Sequence, residues 1–201
     1  MLASGNAGKL REMQALLAPL GLELIAQSQL GIAPCEEPHY TFLENALLKA
    51  RHASAQSGLP ALADDSGLCA LALGGEPGVR SARFAAGADG VTSDAANNAL
   101  VVERLRGRDP SAWYVCVLVF LRAPDDPHPL VVDAEWHGSI VAEPRGRHGF
   151  GYDPHFWLPE RSCTVAELEP EQKNAISHRA RAMRALMARL QARVAGAGVA
   201  R

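Results

Sequence analysis

The sequence predicts an α/β fold whose sheet mixes strand directions, and three observations predict it. Helix-patterned and strand-patterned segments alternate through the first hundred residues. Two apolar strand segments, Trp113 to Leu121 and Leu130 to Val141, then follow one another across the loop Pro124-Asp125-Asp126-Pro127-His128-Pro129, which has the composition of a hairpin connection. The 201 residues, 48% hydrophobic and 21% charged, suit one domain with a sizeable core, spanning 1–201.

Taken in order, Ala3 to Gly8 is small and Gly-rich, and Lys9 to Leu20 sets Leu10, Met13, Leu16, Leu17 and Leu20 at helical spacing before Gly21. This reads as strand end, tight turn and helix. Leu22 to Ala26 is a short strand, followed by a loop holding Glu36, Glu37 and Pro38. Thr41-Phe42-Leu43-Glu44 is a capping box that opens a second helix, with Phe42, Ala46, Ala50 and Ala53 on one stripe and Gly58 closing it. Pro60 to Asp64 reads as a buried strand ending in acids. Gly74 to Gly78 is a turn cluster, and Thr92 to Leu105 is a third helix opened by Ser, Thr and Asp caps. Arg145 to Pro154 is Gly-rich, and Glu171 to Val194 reads as one long terminal helix with Ile176, Met183, Leu186, Met187 and Leu190 on its apolar side. No internal repeat or low-complexity linker interrupts the chain.

Composition excludes several classes. A net charge of -2 with pI about 6.4 argues against a protein that coats a nucleic-acid backbone, while leaving room for a local phosphate pocket. The longest apolar run, Trp113 to Leu121, is too short to span a bilayer, and Met1 to Gly5 has no basic or apolar leader, so a cytoplasmic location without membrane contact is expected. Cys35, Cys69, Cys116 and Cys163 are far apart and show no metal-ligand spacing. Reduced, mostly buried thiols are expected, with neither disulfide nor zinc.

One bias reaches further. Of the 20 basic residues only Lys9, Lys49 and Lys173 are lysine. Lysine is a compact point charge and arginine a bulky planar fork, so a site that needs the former does not accept the latter. The three lysines are candidate phosphate contacts, with ordinary surface lysines as the alternative.

Ser4-Gly5-Asn6-Ala7-Gly8-Lys9 places small residues, a hydroxyl, an amide and an ammonium where a strand meets a helix N-terminus, a combination that favours anions. It is not a Walker A loop, whose spacing and following Ser/Thr are absent. Asp64-Asp65-Ser66-Gly67 ends an apolar strand, and adjacent strand residues point to opposite faces, so one of the two acids is expected in a site. With Glu36 or Glu37 it would suit Mg²⁺, which takes one or two carboxylates plus waters and phosphate oxygens; a polar strand terminus is the alternative. Ser66 lacks the setting of a nucleophile. Phe150-Gly151-Tyr152-Asp153-Pro154 offers an aromatic for stacking, and Ser177-His178-Arg179 offers donors for ring oxygens. A loop anchor and a helix-surface histidine are the ordinary alternatives for Phe150 and His178.

Read together with Thr41 to Ala50, Ser81-Ala82-Arg83 and the Lys173 to Arg179 stretch, these motifs form an ordered signature from about Ala3 to Leu190. The sequence resembles the inosine/xanthosine triphosphate pyrophosphatase family. All three lysines fall inside the matching motifs. The resemblance implies a long twisted mixed β-sheet flanked by helices, two lobes with a central cleft, and a homodimer. It implies hydrolysis of deaminated purine nucleoside triphosphates (ITP, dITP, XTP) to the monophosphate and pyrophosphate, which cleanses the nucleotide pool. Carried over by position, Ser4, Gly5, Asn6, Ala7, Gly8 and Lys9 would cradle phosphates with Lys49 nearby, and Glu36 and Asp65 would hold Mg²⁺. Asp65 would also be the general base that orients the attacking water. Ser66, Phe150, Gly151, Tyr152, Asp153, Lys173, His178 and Arg179 would complete the substrate site, with Phe150 stacking on the base.

Three departures from the family pattern stand out. Only Met1-Leu2-Ala3 precede the Ser-Gly-Asn turn, so either the start is truncated or the first strand is short. His39 and His148 replace usual glycines, which would strain the backbone if either position needs a positive φ. Two rival readings share the phosphate motifs: a pyrophosphatase for other modified nucleotides, and a non-catalytic nucleotide sensor. The form of the 150–154 and 173–179 segments disfavours the first, and the presence of Asp65 and Glu36 disfavours the second.

Overall fold

The computed structural model describes residues 1–18, 24–87 and 90–198, with the side chains of 194–198 left aside. Six strands form one sheet in the order β1 (Leu2–Ala3), β2 (Ala61–Ala70), β3 (Ser111–Leu121), β4 (Leu130–Ile140), β5 (Phe156–Leu158) and β6 (Cys163–Thr164). Strand β1 runs parallel to β2, with Leu2 opposite Leu62, whereas β4–β5 and β5–β6 are antiparallel. The sheet is therefore mixed and, with its helices, α/β as expected. The first strand is two residues long, and the Leu2 N–H reaches across to the Ile25 carbonyl at 2.8 Å.

The helices start where side chains cap them. Asn6 Oδ1 accepts the Lys9 N–H at 3.0 Å and opens α1 (Ala7–Leu17). Thr41 Oγ1 accepts the Glu44 N–H at 3.2 Å and donates to Glu44 Oε2 at 2.7 Å, opening α2 (Phe42–Ser57), which Gly58 closes at φ 69°. Ser93 Oγ accepts the Ala96 N–H at 3.1 Å and opens α3 (Asp94–Leu105).

Three sequence expectations need correction or limits. The apolar strand before the acids does not end at them. Strand β2 continues to Ala70, because its polar side chains find partners and Gly67 lies so close to Ser81 and the Gly78 carbonyl that no Cβ would fit. The terminal helix is not single: α4 (Pro170–Ile176) and α5 (His178–Gly198) are separated by Ser177, which is extended (φ -64°, ψ 162°), the conformation serine favours ahead of a helix start. In place of the Leu22 to Ala26 strand, the described part holds an isolated bridge from Ala26 to Leu2; residues 22 and 23, like the expected helix end at Leu20, lie outside the described residues.

The residues group into two compact units. The first comprises 1–65, 116–134 and 179–201, and its core holds Leu2, Met13, Leu62, Leu118, Met183 and Leu186. The second comprises 66–115 and 135–178, and its core holds Leu68, Val101, Tyr114, Trp136, Phe156 and Val165. Among the described residues, Ser162 is the non-glycine with positive φ, so His39 and His148 sit in ordinary backbone and the strain considered for them is absent. No described helix is long and apolar enough to cross a membrane. All four cysteines are free, Cys69 and Cys116 buried and Cys35 and Cys163 partly so.

The loop between β3 and β4 is organised by one carboxylate. Asp126 accepts hydrogen bonds from the Arg122 N–H (3.1 Å), Nε (2.9 Å) and Nη2 (2.7 Å), and from the His128 N–H (3.0 Å). The Arg122 side-chain and backbone donors hold this carboxyl well below its ordinary value of 3.8. Its folded value is depressed, so the stability it contributes is present above the unfolded value and fades as pH falls through the folded one. Asp126→Asn is therefore expected to lower the thermal midpoint at pH 7, with the gap from the wild type narrowing in acid below about pH 3.8, as read by circular-dichroism melts across pH.

Candidate active site

In the first unit the site begins at the β1–α1 turn. Ser4 is buried and its Oγ accepts the Asn6 N–H at 3.3 Å, while Gly5, Asn6 and Ala7 are exposed. The Asn6 cap takes the Lys9 N–H, leaving the first-turn N–H groups of Ala7 and Gly8 without intrahelical partners at the positive end of α1.

Strand alternation then sends the two aspartates of β2 to different cations. Asp64, whose side chain has no exposed surface, takes Lys9 Nζ on Oδ1 at 2.5 Å and, on Oδ2, Arg179 Nε at 3.3 Å and the Cys116 thiol at 3.1 Å. Arg179 is itself paired with Glu12 of α1. Burial pushes the Asp64 carboxyl up, but Lys9 and Arg179 outweigh it and hold the group well below the usual carboxylate range. Burial and the Asp64 charge push the Cys116 thiol well above 9, so it stays a protonated donor.

Asp65 meets Lys49 of α2, whose Nζ lies 2.8 Å from Oδ1 and 3.3 Å from Glu37 Oε1. Burial works to lower the Lys49 ammonium, yet Asp65 and Glu37 hold it above its ordinary value. Burial also raises the Asp65 carboxyl, ahead of the opposing pull of Lys49 and Lys9. Asp65 Oδ2 is buried and takes no hydrogen bond. A buried carboxylate oxygen left this way is costly unless something binds it, and it fits a hard divalent ion that takes one or two carboxylates. Among the described residues no cluster of three or more metal-ligating side chains exists, so such an ion would depend on Asp65 and the 36–37 loop together with substrate oxygens. Within that loop Glu37 reaches Lys49, while Glu36 is exposed.

The second unit holds the aromatic set. Asp153, almost wholly buried, accepts Lys173 Nζ at 2.7 Å and the Phe150 N–H at 2.9 Å on Oδ2, and the Tyr114 hydroxyl at 3.1 Å on Oδ1. Lys173 Nζ lies 4.6 Å from the Phe150 ring centroid. The Tyr152 hydroxyl donates to the Ser81 carbonyl at 2.8 Å, and Gly151 is held by α3. His178 stacks on Tyr114 with ring centroids 4.7 Å apart and an interplanar angle of 12°. Ser66 follows Asp65 along β2.

The predicted residues thus divide. Lys9, Lys49, Asp65 and Arg179 belong to the first unit; Ser66, Phe150 to Asp153, Lys173 and His178 belong to the second. Lys173, grouped with the other lysines on composition, sits instead on the aromatic side. Arg179 joins the Asp64 cluster rather than its neighbour His178. Sequence reasoning passed over Asp64, Glu12 and Tyr114, and also Asn45, a fully buried side chain that bonds the His39 N–H at 3.1 Å and carbonyl at 3.2 Å. Asp64 and Asn45 stand inside motifs that gave neither of them a role, while Glu12 and Tyr114 carry no motif.

An α/β protein whose first unit sets ammonium groups on strand aspartates next to a helix cap, and whose second unit carries an aromatic loop backed by an ammonium, has the kinds of group that nucleotide-binding proteins use. The sequence model of the Ham1 family matches residues 1–189, and this chain belongs to that family. It is 61% identical over 193 residues to the dITP/XTP pyrophosphatase of Bordetella pertussis, which covers 96% of this chain and 91% of that protein. It is 59% identical over 192 residues to the dITP/XTP pyrophosphatase of Ralstonia nicotianae, covering 95% and 96%. Among solved structures, a HAM1 protein from Coxiella burnetii superposes with a TM-score of 0.86 at 47% identity, covering 94% of this chain and 96% of that one. The Staphylococcus aureus Ham1 protein gives 0.82 at 36% identity, covering 96% and 97%.

The 149–153 loop is sensitive at one position. Gly149 has φ 77°, and a Cβ there would collide with Asp153 Oδ2, the atom that holds Phe150 and Lys173. Gly149→Ala is expected to cost at least about 1–2 kcal/mol from the left-handed backbone alone and to displace the Asp153 carboxylate. Denaturant unfolding checks the stability loss; an unchanged midpoint would show that the loop has another conformation.

Proposed function

We propose that this chain hydrolyses ITP, dITP and XTP between the α- and β-phosphorus atoms, consuming one water and releasing the nucleoside monophosphate and pyrophosphate. The observation that carries the reading is Asp65: one oxygen is fixed by Lys49 and the other is buried and uncommitted. The Bordetella and Ralstonia relatives, each named dITP/XTP pyrophosphatase, support dITP and XTP among these substrates.

The chain's own residues divide the work. The Ala7 and Gly8 N–H groups and the Lys9 ammonium receive phosphate oxygens, with Ser4, Gly5 and Asn6 shaping the turn, and Lys49 adds a second ammonium. Glu36 and Asp65 would hold Mg²⁺, which when bound neutralises non-bridging oxygens and lowers the repulsion that a triphosphate presents to a nucleophile. Asp65 Oδ2 orients the attacking water and accepts its proton. Lys49 keeps Oδ1 occupied, so the carboxylate presents one oxygen to the water.

On the base side Phe150 offers a stacking face, Lys173 and His178 offer donors for O6, and Ser66 with Gly151, Tyr152 and Asp153 completes the contacts. Arg179 acts through Asp64. Hypoxanthine and xanthine accept at position 6, whereas adenine presents an amino group and leaves those donors unpaired, a mismatch that discriminates strongly. Guanine also offers O6, so its exclusion depends on its 2-amino group finding neither room nor a partner. We place the enzyme in the cytoplasm, acting on the nucleotide pool as a homodimer. Size-exclusion chromatography with light scattering is expected to give twice the 21.4 kDa chain mass.

The test is product analysis with Mg²⁺ on ITP, dITP, XTP, ATP, GTP and dTTP. Pyrophosphate and monophosphate from the first three, with ATP and GTP far slower, is the expected result. Orthophosphate as the first product would sink the mechanism, and tight ITP binding without turnover would make the protein a sensor. Asp65→Asn is expected to reduce kcat by at least about 10²-fold, the low end for a general base, while ITP binding stays measurable by calorimetry.

A further inference from the structure

The Gly-rich loop that carries Phe150 contains no strand or helix, so its shape depends on what grips it. Within the second unit, Gly151 is gripped on both of its backbone polar groups. Its N–H donates to Asp94 Oδ2 at 2.7 Å, and its carbonyl accepts Asn98 Nδ2 at 2.8 Å. The same Nδ2 donates to the Asp94 carbonyl at 2.8 Å. Asp94 and Asn98 are four residues apart and therefore on one face of α3, and Asp94 is the helix's first residue, where the N-terminal dipole favours a carboxylate. Asn98 is 6% exposed and its Oδ1 is buried without a hydrogen bond. Flipping the amide would turn that oxygen onto two carbonyls, so the two donated bonds fix the orientation and the unmet oxygen is tolerated.

Phe150 stands between two anchors. Its own N–H is bound by Asp153 Oδ2 at 2.9 Å, and the residue after it is clamped by α3. Its ring carries the Lys173 ammonium at 4.6 Å. A stacking residue held from both sides presents its ring at one height and tilt, and a rigid wall is what allows an extra amino group on a base to be refused.

Resting on the proposed reading of the site, we infer that Asp94 and Asn98 are positioning residues for base recognition: by clamping Gly151 they hold Phe150 against the base and set the preference for hypoxanthine over guanine.

The experiment compares the full-length wild type with Asp94→Ala, Asn98→Ala and Asp94→Asn, using ITP, GTP and inorganic tripolyphosphate, which has no base. Asp94 is exposed, so its variants keep the test sound even if Asn98→Ala folds poorly. In the alanine variants the KM for ITP is expected to rise roughly five- to ten-fold, the scale of one lost ordinary hydrogen bond, with kcat within about two-fold. The ITP-to-GTP ratio of kcat/KM falls by a similar factor. Inhibition by tripolyphosphate is unchanged, and Asp94→Asn, which keeps an oxygen for the Gly151 N–H, recovers most of the loss. An unchanged ITP-to-GTP ratio, a fall in kcat at constant KM, or a parallel loss of tripolyphosphate inhibition would overturn the inference. A wild type that turns over none of the deaminated purine triphosphates would defeat the functional reading by itself. The clamp is then judged by amide hydrogen exchange across 149–153: faster exchange in Asp94→Ala but not Asp94→Asn upholds it, and identical exchange overturns it.

Discussion

A carboxylate without exposed surface, Asp64, is the constraint on which the first unit depends. Removing such a group from water costs several kcal/mol unless close cations and donors replace the solvent. Here they come from three separate elements: Lys9 from α1, Arg179 from α5 and the Cys116 thiol from β3. Glu12 adds a fourth tie by holding Arg179 back onto α1. The charge therefore fixes how these elements meet β2, more specifically than the interchangeable apolar contacts among Leu2, Met13 and Leu186 do. It also keeps the Lys9 ammonium extended toward β2.

The same device recurs at every lysine. Lys9 meets Asp64, Lys49 meets Asp65 and Lys173 meets Asp153, each at 2.5–2.8 Å and each on a buried aspartate. This accounts for the survival of lysine in a chain otherwise rich in arginine, in physical terms that phosphate binding alone does not supply. An ammonium brings its whole charge to one compact donor group, whereas a guanidinium spreads its donors over a planar fork, as Arg179 does between Asp64 and Glu12. Pairing also solves a problem of repulsion. Cations repel one another when alone, and an adjacent carboxylate neutralises each of the three. Lys173 turns the same arrangement toward an aromatic ring, where the ammonium is shared between Asp153 and the face of Phe150.

Much of this was legible in the sequence, and what was not has identifiable causes. Helix starts at Asn6, Thr41 and Ser93 follow from side-chain oxygens that accept specific N–H groups, which is local chemistry. The alternation of Asp64 and Asp65 to different partners follows from the strand period. The continuation of β2 beyond the acids was hidden, because a run of Asp-Asp-Ser-Gly reads as a turn until the distant partners of the strand are known: Lys9, Lys49, Arg179 and Ser81 lie 13 to 115 residues from the β2 residues they contact. The break at Ser177 was hidden for a similar reason. A single serine within a helical pattern carries too small a propensity penalty to outweigh its neighbours, and the break becomes visible only when His178 is found on Tyr114 and Arg179 on Asp64. Which of Glu36 and Glu37 reaches Lys49 is a one-residue choice within a loop, where no periodicity decides.

That break fixes where α5 begins. The chain passes between its two units at four points, and two of them fall inside motifs, between Asp65 and Ser66 and between His178 and Arg179. His178 and Arg179 open α5 together, and successive side chains of a helix point about 100° apart. With the helix started after the extended Ser177, the imidazole stacks on Tyr114 while the guanidinium joins the buried cluster of Asp64 and Glu12. At β2 the same separation is made by the strand itself, with Asp65 counted in one unit and Ser66 in the next. The two residues at each crossing thus belong to different units. Each unit has its own core, so the packing behind Lys9 and Lys49 and the packing behind Phe150 and Lys173 rest on separate sets of side chains.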